Sequence, residues 1–262
     1  MQDEEAILER NLRLALESLA RNAPGGEVRT FPGVVVANPA VEVSLLNAAF
    51  FAGPVEDGND LERRIETAAV YYRVRGLPWS LWLCEGCLPR RLRLMLPDML
   101  SRRGLDASTC CPGMAGRLWD MPVAEEPPEL TLRQVADEES QTAFCRVVSQ
   151  CFRIPFEVAV RLYRGAGPWE TQDGWVGYIG GVPVATAATL AAEGAVGLYS
   201  VATAPGYRRR GFAMEISRHA LLEAGRRYGV EAAVLEATRQ GRPVYRKLGF
   251  RQVTSVYTYF TR

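Results

Sequence analysis

Pro205-Gly206-Tyr207-Arg208-Arg209-Arg210-Gly211-Phe212-Ala213 follows a strand-like run and opens a helix-like one. The first N–H groups of a helix have no partner inside it, and the helix dipole favours negative charge at that end. A turn rich in Arg and Gly at this place can therefore converge backbone donors on phosphate oxygens. Gly211 removes a side chain that would block the approach of an anion. The stretch reads as a grip for a pyrophosphate, and its surroundings must say whose.

Upstream, residues 196–203 read as a strand. Before it, residues 174–179 and 182–190 form a hairpin pattern turned by Gly180-Gly181, a tight-turn signal. Downstream, Ala213, Ile216, Ala220 and Ala224 fall on one face of a helix over residues 211–228, which Gly229 is placed to end in a left-handed conformation. Residues 232–237 are a short apolar strand. Pro243 opens a brief helix that Gly249 stops, and residues 253–260 alternate weakly as a closing strand. Further upstream lie a strand over 130–134 and helices over 137–150 and 155–164.

Val123-Ala-Glu-Glu-Pro-Pro-Glu129 is polar, carries adjacent prolines and reads as a linker. Before it the same cadence occurs in shorter form: a helix over 4–21, strands over 34–37 and 41–51, a helix over 60–75, a strand over 79–84 and a helix over 88–103 that ends at Gly104. This is the pattern of a degenerate internal duplication whose first copy lacks an Arg/Gly turn. It predicts two domains, 1–125 and 126–262. The aromatic run Phe50, Phe51, Tyr71, Tyr72, Trp79 and Trp82 of the first copy reads as core.

The bulk numbers exclude several classes. A net charge of +1 provides no field for nucleic acid or an anionic membrane surface. No run of 18 apolar residues predicts a membrane span, and the acidic start Met1-Gln2-Asp3-Glu4-Glu5 is unlike a signal peptide, so a cytoplasmic location is the default expectation. Cys84-Glu-Gly-Cys87 with Cys110-Cys111 invites a zinc reading, but vicinal cysteines do not easily place both sulfurs on one tetrahedral ion. The six cysteines, with Cys145 and Cys151, are expected as reduced thiols and no metal is expected. The single histidine, His219, lies mid-helix and reads as a surface or packing residue, which disfavours a histidine-based hydrolase.

Four pieces in order resemble the GNAT superfamily of N-acetyltransferases. They are Leu198-Tyr-Ser-Val-Ala-Thr203 as the central strand, Pro205–Ala213 as the coenzyme turn, Val234-Leu-Glu-Ala237 as the next strand, and Val244-Tyr-Arg-Lys-Leu-Gly-Phe250 as the closing helix. The resemblance covers roughly residues 128–262, and the whole chain looks like a tandem GNAT protein. It implies an α/β fold of mixed sheet, the GNAT-like acyl-CoA N-acyltransferase fold, in two tandem GNAT-like domains of which the first has lost its coenzyme turn.

The resemblance also implies roles. Arg208, Gly211 and Ala213 match the [Gln/Arg]-x-x-Gly-x-[Gly/Ala] signature, so the N–H groups of Arg209, Arg210, Gly211, Phe212, Ala213 and Met214 would hold the pyrophosphate of acetyl-CoA, the co-substrate. The Arg208, Arg209 and Arg210 side chains would contact phosphates or sit in solvent. Val201 and Thr203 occupy the positions whose backbone lies along the pantetheine arm, as a peptide adds to a sheet edge, and donates to the thioester carbonyl. Tyr245 matches the tyrosine that protonates the departing thiolate; the alternative is a ring packed on the sheet. Glu236 matches the acid that deprotonates the incoming ammonium; the alternative is a strand-end carboxylate paired with an arginine such as Arg239. The segment Thr238-Arg-Gln-Gly-Arg242 departs from the family: it is shorter than in many relatives, and Gln240 or Arg242 stands where an asparagine is common.

The expected activity is transfer of acetyl from acetyl-CoA to a primary amine, small molecule or peptide, by direct attack in a ternary complex. The other class is a silent module that binds coenzyme A or acyl-CoA without turnover. The acceptor would be shaped by residues 151–164 and 253–259, where Phe152, Phe156 and Trp169 suggest apolar walls and Arg153, Arg161 and Arg164 either select an acidic acceptor or form a solvated face.

Overall fold

The computed structural model describes residues 4–123 and 129–261. The expected boundary at 125/126, and most of the linker around it, lies outside the described residues. Chain order is α1 (Glu4–Asn22), β1 (Glu27–Phe31), β2 (Val34–Asn38), β3 (Ala48–Phe51), α2 (Gly58–Arg75), β4 (Ser80–Cys84), α3 (Arg90–Arg93), α4 (Leu96–Ser101), β5 (Ala107–Arg117), β6 (Thr131–Gln134), α5 (Glu138–Phe152), α6 (Phe156–Tyr163), α7 (Gly167–Thr171), β7 (Asp173–Ile179), β8 (Val182–Ala192), β9 (Ala195–Thr203), α8 (Phe212–Tyr228), β10 (Ala232–Glu236), α9 (Arg242–Lys247) and β11 (Arg251–Phe260).

Two compact units result, and they are not simple halves of the chain. The C-terminal unit takes the chain up to Ala15 together with Gly113–Val253; the N-terminal unit takes Leu16–Pro112 and the chain from Thr254 onward. In the C-terminal unit the strand order is β5-β10-β9-β8-β7-β6, antiparallel except for the parallel pair β9 and β10. In the N-terminal unit it is β1-β2-β3-β4-β11-β5, again with one parallel pair, β3 and β4. Each unit thus joins its parallel pair through one crossover helix, α2 or α8. Each also takes the partner of its last parallel strand from the other repeat: β11 pairs with β4, and β5 pairs with β10.

Each unit has its own apolar core. In the C-terminal unit Val196, Leu198, Ala233 and Leu235 meet Phe212, Ile216, Ala220 and Leu221 of α8. In the N-terminal unit Tyr72, Leu61, Ile65, Leu81, Leu96 and Leu100 pack together, with Tyr72 and Trp79 rings stacked at 5.6 Å. Of the aromatic run of the first copy, Phe51, Tyr71, Tyr72 and Trp79 belong to this core, Phe50 is buried outside it, and Trp82 is only half-buried.

Five segments differ from the sequence reading. The strand expected over 41–51 is broken: Ser44–Leu46 forms a single 3-10 turn before β3. Buried Asn47 holds the break by donating to the Val41 and Pro78 carbonyls, both at 2.7 Å. The helix expected over 88–103 splits into α3 and α4 because Pro97, in the first turn of α4, has no N–H to continue the earlier ladder. Strands β1 and β5 and helix α7 had no apolar period to reveal them; β5 carries Pro112-Gly113 at the point where it passes from one unit to the other. No described helix is long and apolar enough to cross a membrane.

One buried ion pair fixes the turn after β3. Arg64 on α2 donates to Asp60 and, at 2.6–3.3 Å, to the carbonyls of Gly33, Ala52, Gly53 and Pro54. The Arg64–Asp60 pair closes at 2.8 Å with both side chains under a tenth exposed. Arg64→Met leaves these carbonyls without their donor and the Asp60 carboxylate without its buried counter-ion, with exposed Arg63 and the Glu56 N–H as its remaining partners. It is expected to cost about 3 kcal/mol, the low end for breaking a buried pair, read as a lower urea midpoint; an unchanged midpoint would contradict this account.

Candidate functional site

The site is set by where β9 stops pairing. Parallel pairing with β10 joins Ala195, Val196 and Gly197 to Ala232, Ala233 and Val234 and then ends, although β9 continues to Thr203 and β10 to Glu236. On its other side β9 stays bound to β8 through a bulge. Ala188 opposes Tyr199 and Thr186 opposes Ala202, so Ser200 and Val201 share Ala187. Ser200 adopts φ 51°, rare for a residue with a Cβ. Its strain is held by two groups: the Ser200 hydroxyl meets the Tyr163 phenol at 2.9 Å, and its carbonyl accepts from the Thr186 hydroxyl at 2.9 Å. The result is a V between β9 and β10.

The turn at the end of β9 presents donors. After a 3-10 turn over Pro205–Tyr207, Arg209 and Gly211 both adopt left-handed backbone, φ 66° and 83°, and α8 begins without a side-chain cap. Successive residues in this geometry point their N–H groups the same way. Among the described residues, no N–H from Arg209 to Met214 donates to a protein acceptor, and Glu215 is the first to do so, to Gly211 at 3.1 Å. Thr203 Oγ1 is buried and also lacks a partner among the described residues.

The three arginines divide. Arg208 Nε donates to the Thr203 carbonyl at 3.1 Å; burial pushes the Cys151 thiol up, and the charge and hydrogen bond of Arg208 offset part of that rise. Arg210 lies over the Phe212 ring at 4.9 Å and the Tyr207 ring at 5.8 Å, a cation–π placement. Arg209 is exposed at the apex.

The two proton-transfer candidates lie on opposite faces of the sheet. Tyr245, on α9, is 7% exposed and packs with Phe212, Ile216, Leu235 and Phe250 on the α8 face. Burial pushes its phenol far above the ordinary range, and the Ser217 hydroxyl draws it partly back. Glu236 faces the other way. Gly197 and Val234 are paired, so Tyr199 and Glu236, two residues beyond each, share the face away from α8. The carboxylate of Glu236 adds to burial in raising the Tyr199 phenol.

Sequence reasoning missed Tyr199, Asn11, Tyr163 and Ser200. Asn11 had a signal: a polar residue within the apolar stripe Ile7, Leu8, Leu12 and Ala15 of α1, all of them buried. His219 packs edge-on to Trp175 at 4.2 Å, and burial lowers its pKa. The cysteines are free thiols, and among the described residues no group of three His, Cys, Asp or Glu side chains could hold a metal ion.

Residues 169–252 match the family model described as the acetyltransferase (GNAT) domain, and so span the bulge, the turn, the V and Tyr245. Residues 169–252 are thus similar to a GNAT acetyltransferase domain. Solved structures share the fold along nearly the whole chain. A GCN5-related N-acetyltransferase from Kribbella flavida is 23% identical, covers 96% of this chain and 95% of its own, and superposes with a TM-score of 0.69. One from Sphaerobacter thermophilus is 18% identical over 87% of this chain and 76% of its own, TM-score 0.61. A GCN5-related N-acetyltransferase-like protein from Streptococcus suis is 16% identical over 98% and 100%, TM-score 0.56. No curated protein matches the sequence.

In the N-terminal unit, the turn between β3 and α2 holds the same topological place but is closed by its own acids. Asp57 caps α2 by accepting from Asp60 N at 2.9 Å, and Asp60 accepts from Glu56 N at 3.1 Å. Carboxylates stand where α8 leaves N–H groups open.

The burial of Tyr245 makes a direct prediction. Its phenol stays neutral in the folded protein while exposed tyrosines ionise near pH 10. Tyr245→Phe is therefore expected to leave the phenolate absorbance of the folded chain at pH 11 unchanged. Loss of one phenolate equivalent at that pH would show that Tyr245 is solvated.

Proposed function

We propose that this chain is an N-acetyltransferase that moves acetyl from acetyl-CoA to a primary amine, on a small molecule or peptide, by direct attack in a ternary complex. The observation that carries the reading is the row of unpartnered N–H groups from Arg209 to Met214 at the mouth of the V. The donor set fits a diphosphate: two left-handed residues, an uncapped helix N-terminus and flanking arginines.

In this reading the N–H groups of Arg209, Arg210, Gly211, Phe212, Ala213 and Met214 hold the pyrophosphate. The backbone of Val201 and Thr203, unpaired toward β10, lies along the pantetheine arm, and the buried Thr203 hydroxyl gains a partner there. Acetyl-CoA supplies an activated acyl group, a thioester whose carbonyl carbon accepts a nucleophile. Glu236 takes a proton from the incoming ammonium on the face away from α8. Tyr245, kept protonated by burial, gives its proton to the leaving sulfur on the α8 face. Arg208 acts as a brace across the turn through the Thr203 carbonyl. Most of the acceleration comes from holding amine and thioester together, with the proton-transfer groups adding less.

The N-terminal unit is, in the same proposal, a second GNAT-like domain that lost its coenzyme site when Asp57 and Asp60 filled the start of α2. The burial of Tyr245 favours one other reading, a module that binds acetyl-CoA without turnover.

Thiol release from acetyl-CoA across a panel of primary amines separates them. Release that depends on one class of amine, reduced roughly a hundredfold in Tyr245→Phe with coenzyme affinity unchanged, supports catalysis. Binding of acetyl-CoA with no release for any amine selects the silent module. A second prediction concerns the turn itself. Gly211→Val places a branched side chain at φ 83° and is expected to weaken acetyl-CoA at least tenfold by calorimetry, because left-handed backbone costs such a residue about 1–2 kcal/mol. Unchanged affinity would remove Gly211 from the grip.

A further inference from the structure

The sheet of the N-terminal unit ends on β1, which has β2 as its one neighbour and a free outer edge. The next pair of strands shows which of its backbone groups face outward. Ala52 N–H donates to the Gly33 carbonyl at 2.9 Å, so Gly33 and, by alternation, Val35 and Ala37 turn toward β3. Val34, Val36 and Asn38 then turn toward β1, and their partners Phe31, Arg29 and Glu27 use their backbone groups inside the sheet. Val28 and Thr30 are left with N–H and C=O on the open side. A row of this kind is a template for another strand. The side chains of Glu27, Arg29 and Phe31 lie on the α2 face: Glu27 accepts from the Tyr71 phenol and from Arg29, both at 2.7 Å, and the Phe31 and Tyr71 rings meet at 5.9 Å. Beside them an open groove runs along α2, lined by Phe31, Val70 and Val74 and rimmed by Arg29, Arg63 and Arg75. Val74 is 77% exposed and Val70 38%, while the opposite face of the same helix supplies the core.

Charge decides which strand fits this edge. A second β1 can pair antiparallel with the first through its outward residues, in two-fold registers that differ in what they oppose. Val28 opposite Thr30 sets Arg29 against Arg29, and Val28 opposite Gly26 sets Glu27 against Glu27. Like charges directly opposite are destabilising. Thr30 opposite Thr30 sets Val28 against Pro32, which has no N–H to give. Val28 opposite Val28 sets Glu27 of each copy against Arg29 of the other, at the closer, non-hydrogen-bonded spacing. Thr30 then meets Gly26, whose N–H is already given to Ala23 and whose carbonyl faces the Thr30 N–H. We infer that β1 is the contact between two copies of this chain, paired antiparallel about Val28 and held by reciprocal Glu27–Arg29 ion pairs. Glu27 is bonded to Tyr71, so the two-fold axis runs at the level of Tyr71 and Val70, and the two grooves join into one that takes Val70 and Val74 out of water. The other terminal strand, β6, carries Arg133 as its only charge, and no two-fold pairing of it is charge-complementary. This contact does not depend on acyl transfer.

The test is sedimentation equilibrium of the full chain under reducing conditions, which keep its thiols from cross-linking. The expected result is a reversible dimer of twice 29.0 kDa with a dissociation constant of about 10 μM, the weak range of a small interface. Val28→Pro removes an outward N–H and leaves the β1–β2 ladder intact, as proline on an edge strand does. It is expected to raise the dissociation constant at least about tenfold. Arg29→Glu sets acid against acid, and Glu27→Arg sets cation against cation, so each variant alone is expected to be monomeric. An equimolar mixture of the two restores both ion pairs and is expected to dimerise. A native chain that stays monomeric at about 100 μM, ten times the expected constant, overturns the inference. So does a dimer unmoved by Val28→Pro and Arg29→Glu, or a mixture no more associated than its folded components. Circular dichroism checks the fold of each variant; should Glu27→Arg fail to fold, Val28→Pro and Arg29→Glu carry the test.

Discussion

Everything in the C-terminal unit follows from β9 being unable to serve two neighbours at once. The bulge at Ser200 keeps β9 on β8 while its path leaves β10 after Gly197. Backbone groups freed in this way need partners, since a buried N–H or C=O without one costs free energy comparable to a lost hydrogen bond. The Ser200 carbonyl meets part of that need within the protein, by accepting from the Thr186 hydroxyl. The rest is left on the inner arms of the V. The same divergence sorts the chemistry. Side chains that alternate along β9 and β10 send Leu198 and Leu235 to α8 and Tyr199 and Glu236 to the opposite face.

Two crossover helices of one chain show how the first N–H groups of a helix are left open or closed. Both α2 and α8 follow the first strand of a parallel pair and precede the second. At α8 the residue before the helix is a glycine at φ 83° with no side chain to cap it. At α2 the equivalent end carries Asp57 and Asp60, and Arg64 pairs with Asp60 while gathering the carbonyls of the turn. An internal carboxylate satisfies the dipole and the free donors that would otherwise attract an external anion. The change is local, a few side chains at one helix start, and it leaves the sheet of that unit intact.

Much of this was legible in the sequence, for reasons that can be named. Helices α1, α2, α5 and α8 have apolar stripes, and Gly229 and Gly249 ended their helices in left-handed backbone as read. The turn at 208–214 was visible because Arg, Gly and a following helical period coincide there. Strand β5 was hidden because its residues pair with strands far away in sequence and carry no alternation of their own. The Asn11–Tyr199 bond was hidden for the same reason: its members are 188 positions apart. Tyr245 and Glu236 were placed by resemblance, and only coordinates could put them on opposite faces.

The central claim is that the amide hydrogens from Arg209 to Met214 are the pyrophosphate grip. It is tested most directly by ¹H–¹⁵N correlation spectra of the labelled chain titrated with coenzyme A, with pantetheine as the control that lacks the diphosphate. The account predicts that these six amides move strongly downfield with coenzyme A and little with pantetheine, as new charge-assisted hydrogen bonds form. Spectra in which coenzyme A shifts other residues and leaves these six in place would contradict it.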